Sequence, residues 1–214
     1  MLKGKFVYLR LFEPGDYEKT YLWHSDFELM KSTCGPLRIV SKEIEKSWVQ
    51  SKSCSNKNEL YLAICLCSND EMVGWYSISG IDYVNRSCEC SGVLIGDKEY
   101  QDGEAYMEAG GLAIGYAFSE LNMRRLTGAC LREQFMSRAG FEASNWKLEG
   151  IARQALYKNG KYHDICYYSL LIEEWKEHME GKKFSNYVRA IVNKSRELKR
   201  SEKDYLDMLK NEPS

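Results

Sequence analysis

The sequence predicts a mixed α/β fold built on a single, largely antiparallel sheet. Three strand-like runs follow one another closely between residues 60 and 96, with short turns between them, as in an antiparallel meander. A helical segment then separates two further strand patterns, and a long hairpin with the turn KNGK comes last. Strands that follow one another closely, together with helices that cross between strands, indicate one sheet flanked by helices.

The first third of the chain is predicted to hold one strand and two helices. Residues 6–12 alternate apolar and polar side chains, as a half-buried strand does, and Pro14 suits the first turn of a helix. The following segment, DYEKTYLWHSD, is predicted to be helical, and Ser41 can cap a second helix, SKEIEKSWVQSK. The inward face of that second helix is predicted to carry Ile44, Trp48 and Val49.

The middle and the end of the chain alternate strands with helices. The meander consists of the runs LYLAICLC, MVGWYSISGID and SCECSGVLIG, separated by SNDE and VNR. A helix is predicted from Met107 to about Leu121, a strand over residues 125–131 and a helix over residues 134–144. The runs LEGIARQALY and YHDICYYSLL form the closing hairpin, and IEEWKEHM begins a further helix.

Residues 181–214 differ from the rest, so residues 1–180 are predicted to form one domain and the tail a charged helical extension. The tail holds nine Lys or Arg against five Asp or Glu. One stripe repeats every three or four residues: Phe184, Val188, Ile191, Ser195, Leu198, Glu202, Tyr205 and Leu209. Such a stripe fits a helix that packs on its own domain, and the alternative is a helix that pairs with a second copy in a homodimer.

Composition limits the class of protein. The 214 residues are 44% hydrophobic and 29% charged, as in a globular domain, and the net charge of −1 gives no general attraction to nucleic acid or acidic membranes. No apolar run approaches the ~20 residues that a membrane span needs, and the N-terminus lacks the apolar region of a secretion signal. We therefore expect a cytoplasmic protein with no membrane and no nucleic-acid partner.

The eight cysteines are expected to be reduced thiols, since the chain is large and shows no export signal. Cys65 and Cys67 lie on one face of a predicted strand, and so do Cys88 and Cys90. Paired zinc ligands are usually separated by about two to four residues. These cysteines are therefore predicted to be small buried side chains, and no metal site is expected.

Four phrases of the chain, in order, resemble one enzyme family. They are LRLFEPGDYEKTYLWHSD, NRSCECSGVLIGDKEYQ, EAGGLAIGYAFSELNMRRL and LEGIARQALYKNGKYHDICYYSLLIEEW. Over about residues 5–176 the chain resembles the GCN5-related N-acetyltransferases (GNAT), in the branch of ribosomal-protein and spermidine acetyltransferases. The resemblance implies the GNAT fold, a mixed and mostly antiparallel sheet, flanked by helices, whose two central parallel strands splay apart. These strands would be SGVLIG and RLTGACL, with acetyl-CoA as the cosubstrate between them.

The resemblance also implies which residues would hold acetyl-CoA. The backbone of Val93, Leu94 and Ile95 would pair with the pantetheine amides, as a strand edge pairs with an added strand. The pyrophosphate would rest on the loop and the start of the next helix, where N–H groups are unpaired and the helix dipole favours negative charge. The residues implied in these contacts are Gln101, Asp102, Gly103, Glu104, Ala105, Tyr106 and, on the later helix, Gln134.

The loop departs from the family pattern, which is Gln or Arg, two residues, Gly, one residue, then Gly or Ala. Counted from Gln101, the two small positions fall on Glu104 and Tyr106, and neither residue is small. A register shifted by one residue places Gly103 and Ala105 there, but it puts a tyrosine in the place of Gln. We therefore expect either weak CoA binding or an altered path of the loop.

N-acetylation needs a base, and Glu89 is the candidate that the resemblance implies, on the strand that lines the gap. Burial among Cys and Ser would make its carboxylate a stronger base. Strict alternation instead predicts that Glu89 faces solvent between two inward cysteines. A bulge, which relatives often have in this strand, would re-aim the side chain.

An acid can protonate the CoA sulfur later in the reaction. The tyrosine that many relatives carry aligns with Phe141, which has no hydroxyl. The Asn-x-x-Ser of the resembled branch is matched by Gln134 and Ser137, which makes Ser137 the candidate near the thiol. The alternative is a serine on the helix surface without a catalytic role.

These features lead to three hypotheses. The first is an acetyl-CoA-dependent N-acetyltransferase that acts on a primary amine of a small molecule or a peptide. The alternative is a degenerate GNAT-fold protein with a binding or regulatory role and an impaired CoA site, which Glu104, Tyr106 and Phe141 support. The third is a domain that binds another acyl-CoA or a nucleotide on a rearranged loop.

Overall fold

The computed structural model describes residues 1–54, 58–181 and 187–210, and these form one eight-stranded sheet with helices on both faces. The strands are β1 (Leu2–Lys3), β2 (Val7–Leu11), β3 (Leu60–Leu66), β4 (Met72–Asp82), β5 (Ser87–Ile95), β6 (Arg125–Leu131), β7 (Lys147–Lys158) and β8 (Lys161–Leu171). The α-helices are α1 (Tyr17–Ser25), α2 (Phe27–Lys31), α3 (Lys42–Cys54), α4 (Glu104–Ser119), α5 (Phe135–Ala143), α6 (Ile172–Gly181) and α7 (Tyr187–Lys210). Short 3₁₀ turns, Pro14–Asp16 and Lys98–Tyr100, precede α1 and α4.

The strands lie in the order β1-β2-β3-β4-β5-β6-β8-β7. Within the described ranges every neighbouring pair is antiparallel except β5 and β6, which run parallel. A parallel pair needs a long crossover because the chain must return to the same end of the sheet, and α4 provides it. The predicted fold class, mixed and mostly antiparallel, is confirmed.

A bulge in β5 changes which face its side chains occupy. Ser79 pairs with Glu89 and Ser77 pairs with Gly92, so β5 uses one residue more than β4 over this interval. As a result, Cys90 packs in the core under α4, whereas Leu94, an even number of residues later, packs in the core on the opposite face. The bulge that the resemblance implied is therefore present, just beyond Glu89.

The two faces of the sheet carry separate cores. On one face, α4 packs through four alanines spaced four residues apart, each with no exposed surface. They are Ala105, Ala109, Ala113 and Ala117. Small side chains let the helix lie close to the sheet. The opposite face is rich in aromatic residues and packs against α1 and α3 through Trp23 and Val49.

A carboxylate fixes α4 to the edge of the sheet. Glu108 accepts hydrogen bonds from the backbone N–H groups of Lys5, Phe6 and Val7, at 2.8, 2.7 and 2.7 Å. A Cβ at Gly4 would lie 2.5 Å from this carboxyl carbon, so a side chain there would require the carboxylate to move. The contact joins residues about a hundred positions apart and sets the position of the helix start relative to the strands.

Several sequence-based boundaries need correction. α4 begins at Glu104 rather than Met107, because Gly103 caps it at the end of the loop. Asp26 ends α1 and accepts a hydrogen bond from the Leu29 N–H, which starts the separate helix α2. Ile44 was predicted to face inward on α3, but its side chain is 58% exposed.

The last helix, α7, lies against α5. Ile191 is 6% exposed and packs with Ala139, and Leu198 is partly buried against the same pair. Of the predicted stripe, the residue outside the described ranges is Phe184, and the positions whose side chains are not described are Val188, Tyr205 and Leu209.

The cysteines behave mainly as small core residues. Cys88 and Cys90 are buried with their sulfurs 3.8 Å apart, and Cys65 is buried as well, while Cys67 is half-buried. Among the residues that the structure describes, no three His, Cys, Asp or Glu side chains come together in a way that could hold a metal ion. No helix in the described ranges combines the length and apolar character needed to cross a membrane.

Candidate active site

The parallel strands β5 and β6 separate soon after they meet. Their paired residues are Ser87–Arg125, Cys88–Leu126 and Glu89–Thr127. Beyond these pairs β5 stays bonded to β4 as far as Ile95, and β6 stays bonded to β8 as far as Leu131. The strands therefore splay apart as the resemblance implied, and each presents an open backbone edge to the gap.

A cavity of about 860 Å³ occupies this gap. Its wall includes Trp75, which belongs to the core under α1 and α3. It also includes Tyr106 of α4 and Phe141 of α5, which pack on the opposite face of the sheet. Ser91 and Ala129, from the two diverging strands, also line it. The cavity thus runs through the sheet from one face to the other.

Val93, Leu94 and Ile95 line the cavity. On the side away from the gap they pair with β4. The side-chain amide of Gln101 donates a hydrogen bond of 2.9 Å to the Ile95 carbonyl. Gln101 therefore links the loop to the end of β5 through this hydrogen bond.

The loop geometry matches the shifted register. Gly103 has φ +103°, a conformation that favours glycine. Ala105, in the first turn of α4, is completely buried on the side of the helix that faces the sheet. Glu104 is exposed and does not line the cavity, so its carboxylate points away from the gap. Tyr100, which takes the Gln position in this register, packs against the Phe6 ring at a centroid distance of 6.3 Å.

The first turn of α4 faces the cavity with free donors. The Glu104 N–H is bound by the Asp102 side chain at 2.9 Å. Among the described residues, the N–H groups of Ala105 and Tyr106 meet no acceptor, as expected in the first turn of a helix. Together with the helix dipole, these two groups form a place for an anion, although the Asp102 carboxylate also lines the cavity nearby.

Tyr106 is half-buried, and its side chain lines the cavity. Burial raises the pKa of this phenol to about 12, with a smaller contribution from Cys130. The hydroxyl therefore stays protonated at neutral pH and can donate a hydrogen bond or a proton.

Glu89 lies on the opposite face of β5 from Cys88 and Cys90, and it lines the cavity. The predicted burial is wrong, because Glu89 is exposed in this structure. Strict alternation was right about the face, but that face opens into the cavity rather than only to bulk solvent. The Ser91 hydroxyl donates to the Glu89 carboxylate at 2.8 Å, which fixes its direction.

The later helix supplies a hydroxyl and an amide. Ser137 lines the cavity, and its hydroxyl has no hydrogen-bond partner among the described residues. The Gln134 side-chain oxygen accepts from the Leu131 N–H at 2.8 Å, so the amide secures the end of β6. Phe141 stacks on the Tyr168 ring with centroids 4.7 Å apart, and a Cβ at Gly128 would lie 2.7 Å from the Phe141 ring.

Comparison with known proteins decides the family. The model of the Acetyltransferase (GNAT) domain matches residues 7–144, well over half of the chain. The chain belongs to the GNAT family. Ten of the twelve predicted site residues line the cavity between β5 and β6, and the two that do not are Glu104 and Ala105.

Two Bacillus subtilis (strain 168) proteins illustrate the relatedness of this GNAT chain. One is named "Putative ribosomal N-acetyltransferase YdaF" and is 37% identical over 111 residues, or 52% of this chain and 60% of that protein. The other, "Uncharacterized N-acetyltransferase YnaD", is 25% identical over 80% of this chain and 96% of its own length. The chain thus spans only 60% of the first relative.

A solved structure supports the same GNAT fold. The spermidine N-acetyltransferase from Vibrio cholerae, solved in complex with CoA and spermine, superposes with a TM-score of 0.72 at 19% sequence identity. The match covers 79% of this chain and 98% of that chain. At this identity the comparison shows the fold and no more.

The α1 and α3 side of the GNAT cavity holds residues that sequence reasoning missed. The His24 ring contacts the rings of Trp48 and Trp75, at centroid distances of 5.2 and 5.1 Å, and these two rings also contact each other. Its Nδ1 atom is 2.8 Å from the carboxylate of Glu45, which is only 3% exposed. The one signal in the sequence was the density of aromatic residues, which does not reveal that they surround a cavity.

A buried lysine fixes another part of the same wall. Lys158, at the tip of the β7–β8 hairpin, donates to the carbonyls of Met30 and Thr33 at 2.7 and 2.5 Å. Burial lowers the pKa of this ammonium. The contact ties the hairpin to the segment after α2, which lines the cavity through Cys34 and Arg38.

Proposed function

We propose that the chain transfers an acetyl group from acetyl-CoA to a primary amine of a small molecule or a peptide. The observation that carries this proposal is the cavity through the sheet. It connects free backbone donors at the start of α4 with a carboxylate on the other side of the splayed strands.

The cofactor side has features that fit CoA. The β5 edge at Val93 to Ile95 offers backbone groups to pantetheine amides, and the N–H groups of Ala105 and Tyr106 suit a pyrophosphate. When bound, acetyl-CoA supplies a thioester that an amine can attack. Because Glu104 points away from the cavity, its carboxylate would not repel a bound pyrophosphate. Asp102 is the remaining negative charge beside the proposed pyrophosphate site.

Glu89 is the proposed base. Its carboxylate lines the cavity beyond the gap and is oriented by Ser91, so it can accept a proton from the acceptor amine directly or through water. An amine is nucleophilic only when neutral, so removal of this proton is the step that the residue assists.

Two hydroxyls can supply a proton to the departing thiol, Ser137 and Tyr106. Both line the cofactor side of the cavity. Because Phe141 has no hydroxyl, one of these two groups would take the role that a tyrosine has in many relatives. The raised pKa of Tyr106 keeps its hydroxyl protonated at neutral pH and also makes it a weaker acid than an ordinary phenol.

The acceptor side favours an amine with some positive charge. Its lining includes the carboxylates of Glu45 and Glu89, the guanidinium of Arg38 and the rings of Trp48 and Trp75. Aromatic faces and carboxylates both attract ammonium groups. The names of the relatives refer to ribosomal and spermidine acceptors, and both a peptide amine and a small polyamine fit this lining. We place the reaction in the cytoplasm.

The test is thermal unfolding with CoA, followed by initial rates with acetyl-CoA and a panel of primary amines. CoA at 100 times its dissociation constant should stabilise the fold by ~2.7 kcal/mol. ATP serves as the control ligand, because a shift with ATP alone would favour a rearranged nucleotide site. No shift at millimolar CoA would contradict the proposal and favour the degenerate alternative that Phe141 suggests. CoA binding without transfer to any amine would also point to that alternative.

A further inference from the structure

We propose that α7 forms a wall of the cofactor channel and that Val192 contacts bound CoA and limits the width of this channel. This inference rests on the proposed function, because it names a further part of the same site. It assigns a role to the charged C-terminal helix, which was otherwise expected only to pack on its own domain or to pair with a second copy.

The first support is the lining of the cavity. Ile191 and Val192 of α7 share its wall with Ser137 and Gly140 of α5 and with Met107 of α4. The final helix therefore lines the same cavity as the proposed proton donor. A helix that only covered the outside of α5 would not reach this space.

The second support is where α7 crosses the fold. α4 follows β5 and α5 follows β6, so these helices flank the mouth of the gap on the cofactor side. Ile191 is packed on Ala139 of α5, and Met107 of α4 and Leu198 lie against the same cluster. α7 thus bridges the two helices at the point where a ligand would leave the gap. A cavity of about 860 Å³ remains with α7 in place, so the helix lines the cavity without blocking it.

The third support is that α7 is held by charge as well as by apolar packing. The Glu202 carboxylate lies 2.7 Å from the guanidinium of Arg132 and 3.5 Å from that of Arg138. Arg138 is only 7% exposed, and its partner Glu202 on α7 is partly buried. Nearer the start of the helix, the Lys194 ammonium lies 3.4 Å from the Glu142 carboxylate. These contacts fix the position of α7 along α5 and so keep Val192 at the channel.

The comparisons suggest that this wall is particular to the chain. YnaD and the Vibrio cholerae enzyme are matched over 96% and 98% of their lengths by only about four fifths of this chain. The GNAT domain model ends at residue 144, well before α7 begins at Tyr187. Much of the C-terminal part thus lies beyond the shared domain, although Val192 reaches its cavity.

The experiment measures CoA binding by isothermal titration in the full-length protein. Val192→Trp should fill part of the channel and weaken CoA binding about tenfold or more, because the added ring takes space that the ligand would occupy. Val192→Ser, which removes apolar contact without adding bulk, should weaken binding by a smaller factor. Lys199→Trp is the matched control, since it places the same ring on an exposed position of α7 and should leave CoA binding unchanged.

A variant of the ion pair on α7 distinguishes direct contact between Val192 and CoA from displacement of the helix. Glu202→Gln should weaken CoA binding only indirectly, by loosening α7. Because salt also screens the ion pairs of Glu202 in the wild type, this effect should shrink at high salt, whereas the effect of Val192→Trp should not. If the wild type binds CoA and both Val192 variants bind it equally well, the inference is wrong and the proposed function stands. If the wild type does not bind CoA at all, both are wrong.

Discussion

Glu89 and Thr127 are the last paired residues of β5 and β6, and the two strands diverge beyond them. The bulge that follows Glu89 in β5 and the opening of the gap therefore occur at the same level of the sheet. This coincidence places a carboxylate at the narrow end of the gap, on the face opposite the buried cysteines. The position suits a base that must act where the acceptor amine meets the thioester.

Replacing Glu89 with Gln should lower the rate of acetyl transfer by about 10²–10⁴-fold, which is the usual contribution of a general base. Gln keeps the size and the hydrogen bond from Ser91, so the change removes mainly the capacity to accept a proton. Initial rates with acetyl-CoA and an active amine measure the effect, and CoA binding should be unchanged.

Glu120→Gln is the matched control, because Glu120 is an exposed carboxylate at the far end of α4. A Glu89→Gln protein as active as the control would remove Glu89 from the mechanism. If the rate falls only because CoA no longer binds, the role is structural rather than catalytic.

The path of the loop predicts different outcomes for two adjacent residues. Gly103→Ala forces a Cβ into a backbone with φ +103°, which should cost about 1–3 kcal/mol and weaken CoA binding by shifting the loop. Glu104→Ala should leave CoA binding within about twofold of wild type, because its side chain points away from the cavity. Calorimetric titration with CoA compares the two variants. A larger effect of Glu104→Ala than of Gly103→Ala would favour the register in which Glu104 faces the phosphate.

Asp102 is expected to reduce CoA affinity in the wild type. Its carboxylate lines the cavity beside the free N–H groups of α4, and like charges at this range repel at an effective dielectric near 20. Asp102→Asn keeps the acceptor for the Glu104 N–H and should tighten CoA binding by about three- to tenfold at low salt. The gain should shrink as salt is added. Glu104→Gln is the control with a similar charge change, and an equal gain there would show that only net charge matters.

The sequence was sufficient for most of the architecture, because it depends on local periodicity. Strand β6 was predicted at its observed bounds, 125–131, and the alternation in the meander gave each of its three strands to within about two residues. The divergence of β5 and β6 came only from the family resemblance, since no local pattern shows where two strands stop pairing. For the same reason, the alternation around Glu89 could give the face but not the cavity on that face.

Long-range contacts explain what the sequence could not predict. Glu108 sits on α4 among residues that read as an ordinary helix, and nothing near it in sequence indicates its partners at Lys5 to Val7. Ile44 fits the apolar pattern of α3, but its place is beside a cavity rather than in the core. In each case the deciding neighbour is far away along the chain.

Glu108→Gln should lower the free energy of unfolding by about 1.5–3 kcal/mol, because hydrogen bonds to a charged acceptor are replaced and one side-chain oxygen becomes an N–H₂ donor facing backbone donors. Urea unfolding measures the change. Glu120→Gln again serves as the exposed control and should change stability by less than about 0.5 kcal/mol. Equal stabilities would mean that solvent replaces the carboxylate without cost.

We expect Tyr106 to make the free energy of unfolding depend on pH in the alkaline range. Burial raises its pKa from about 10 to about 12, so the folded state holds this proton more tightly than the unfolded state. The stabilising contribution is therefore fully present below about pH 10 and is lost as the pH rises toward 12. In Tyr106→Phe the free energy of unfolding should fall less steeply over this range, and the slope that remains includes Tyr8, whose pKa burial also raises to about 12.

The same variant tests the proton donor of the reaction. If the Tyr106 hydroxyl protonates the thiol, Tyr106→Phe should lower the rate with little change in CoA binding, and Ser137→Ala should have a small effect. The reverse ranking would assign the role to Ser137, whose hydroxyl has no other partner among the described residues. Because Phe keeps the ring that lines the cavity, a loss of CoA binding in Tyr106→Phe would instead show that the hydroxyl holds the cofactor. Unchanged rates in both single variants and in the double variant would leave water as the donor.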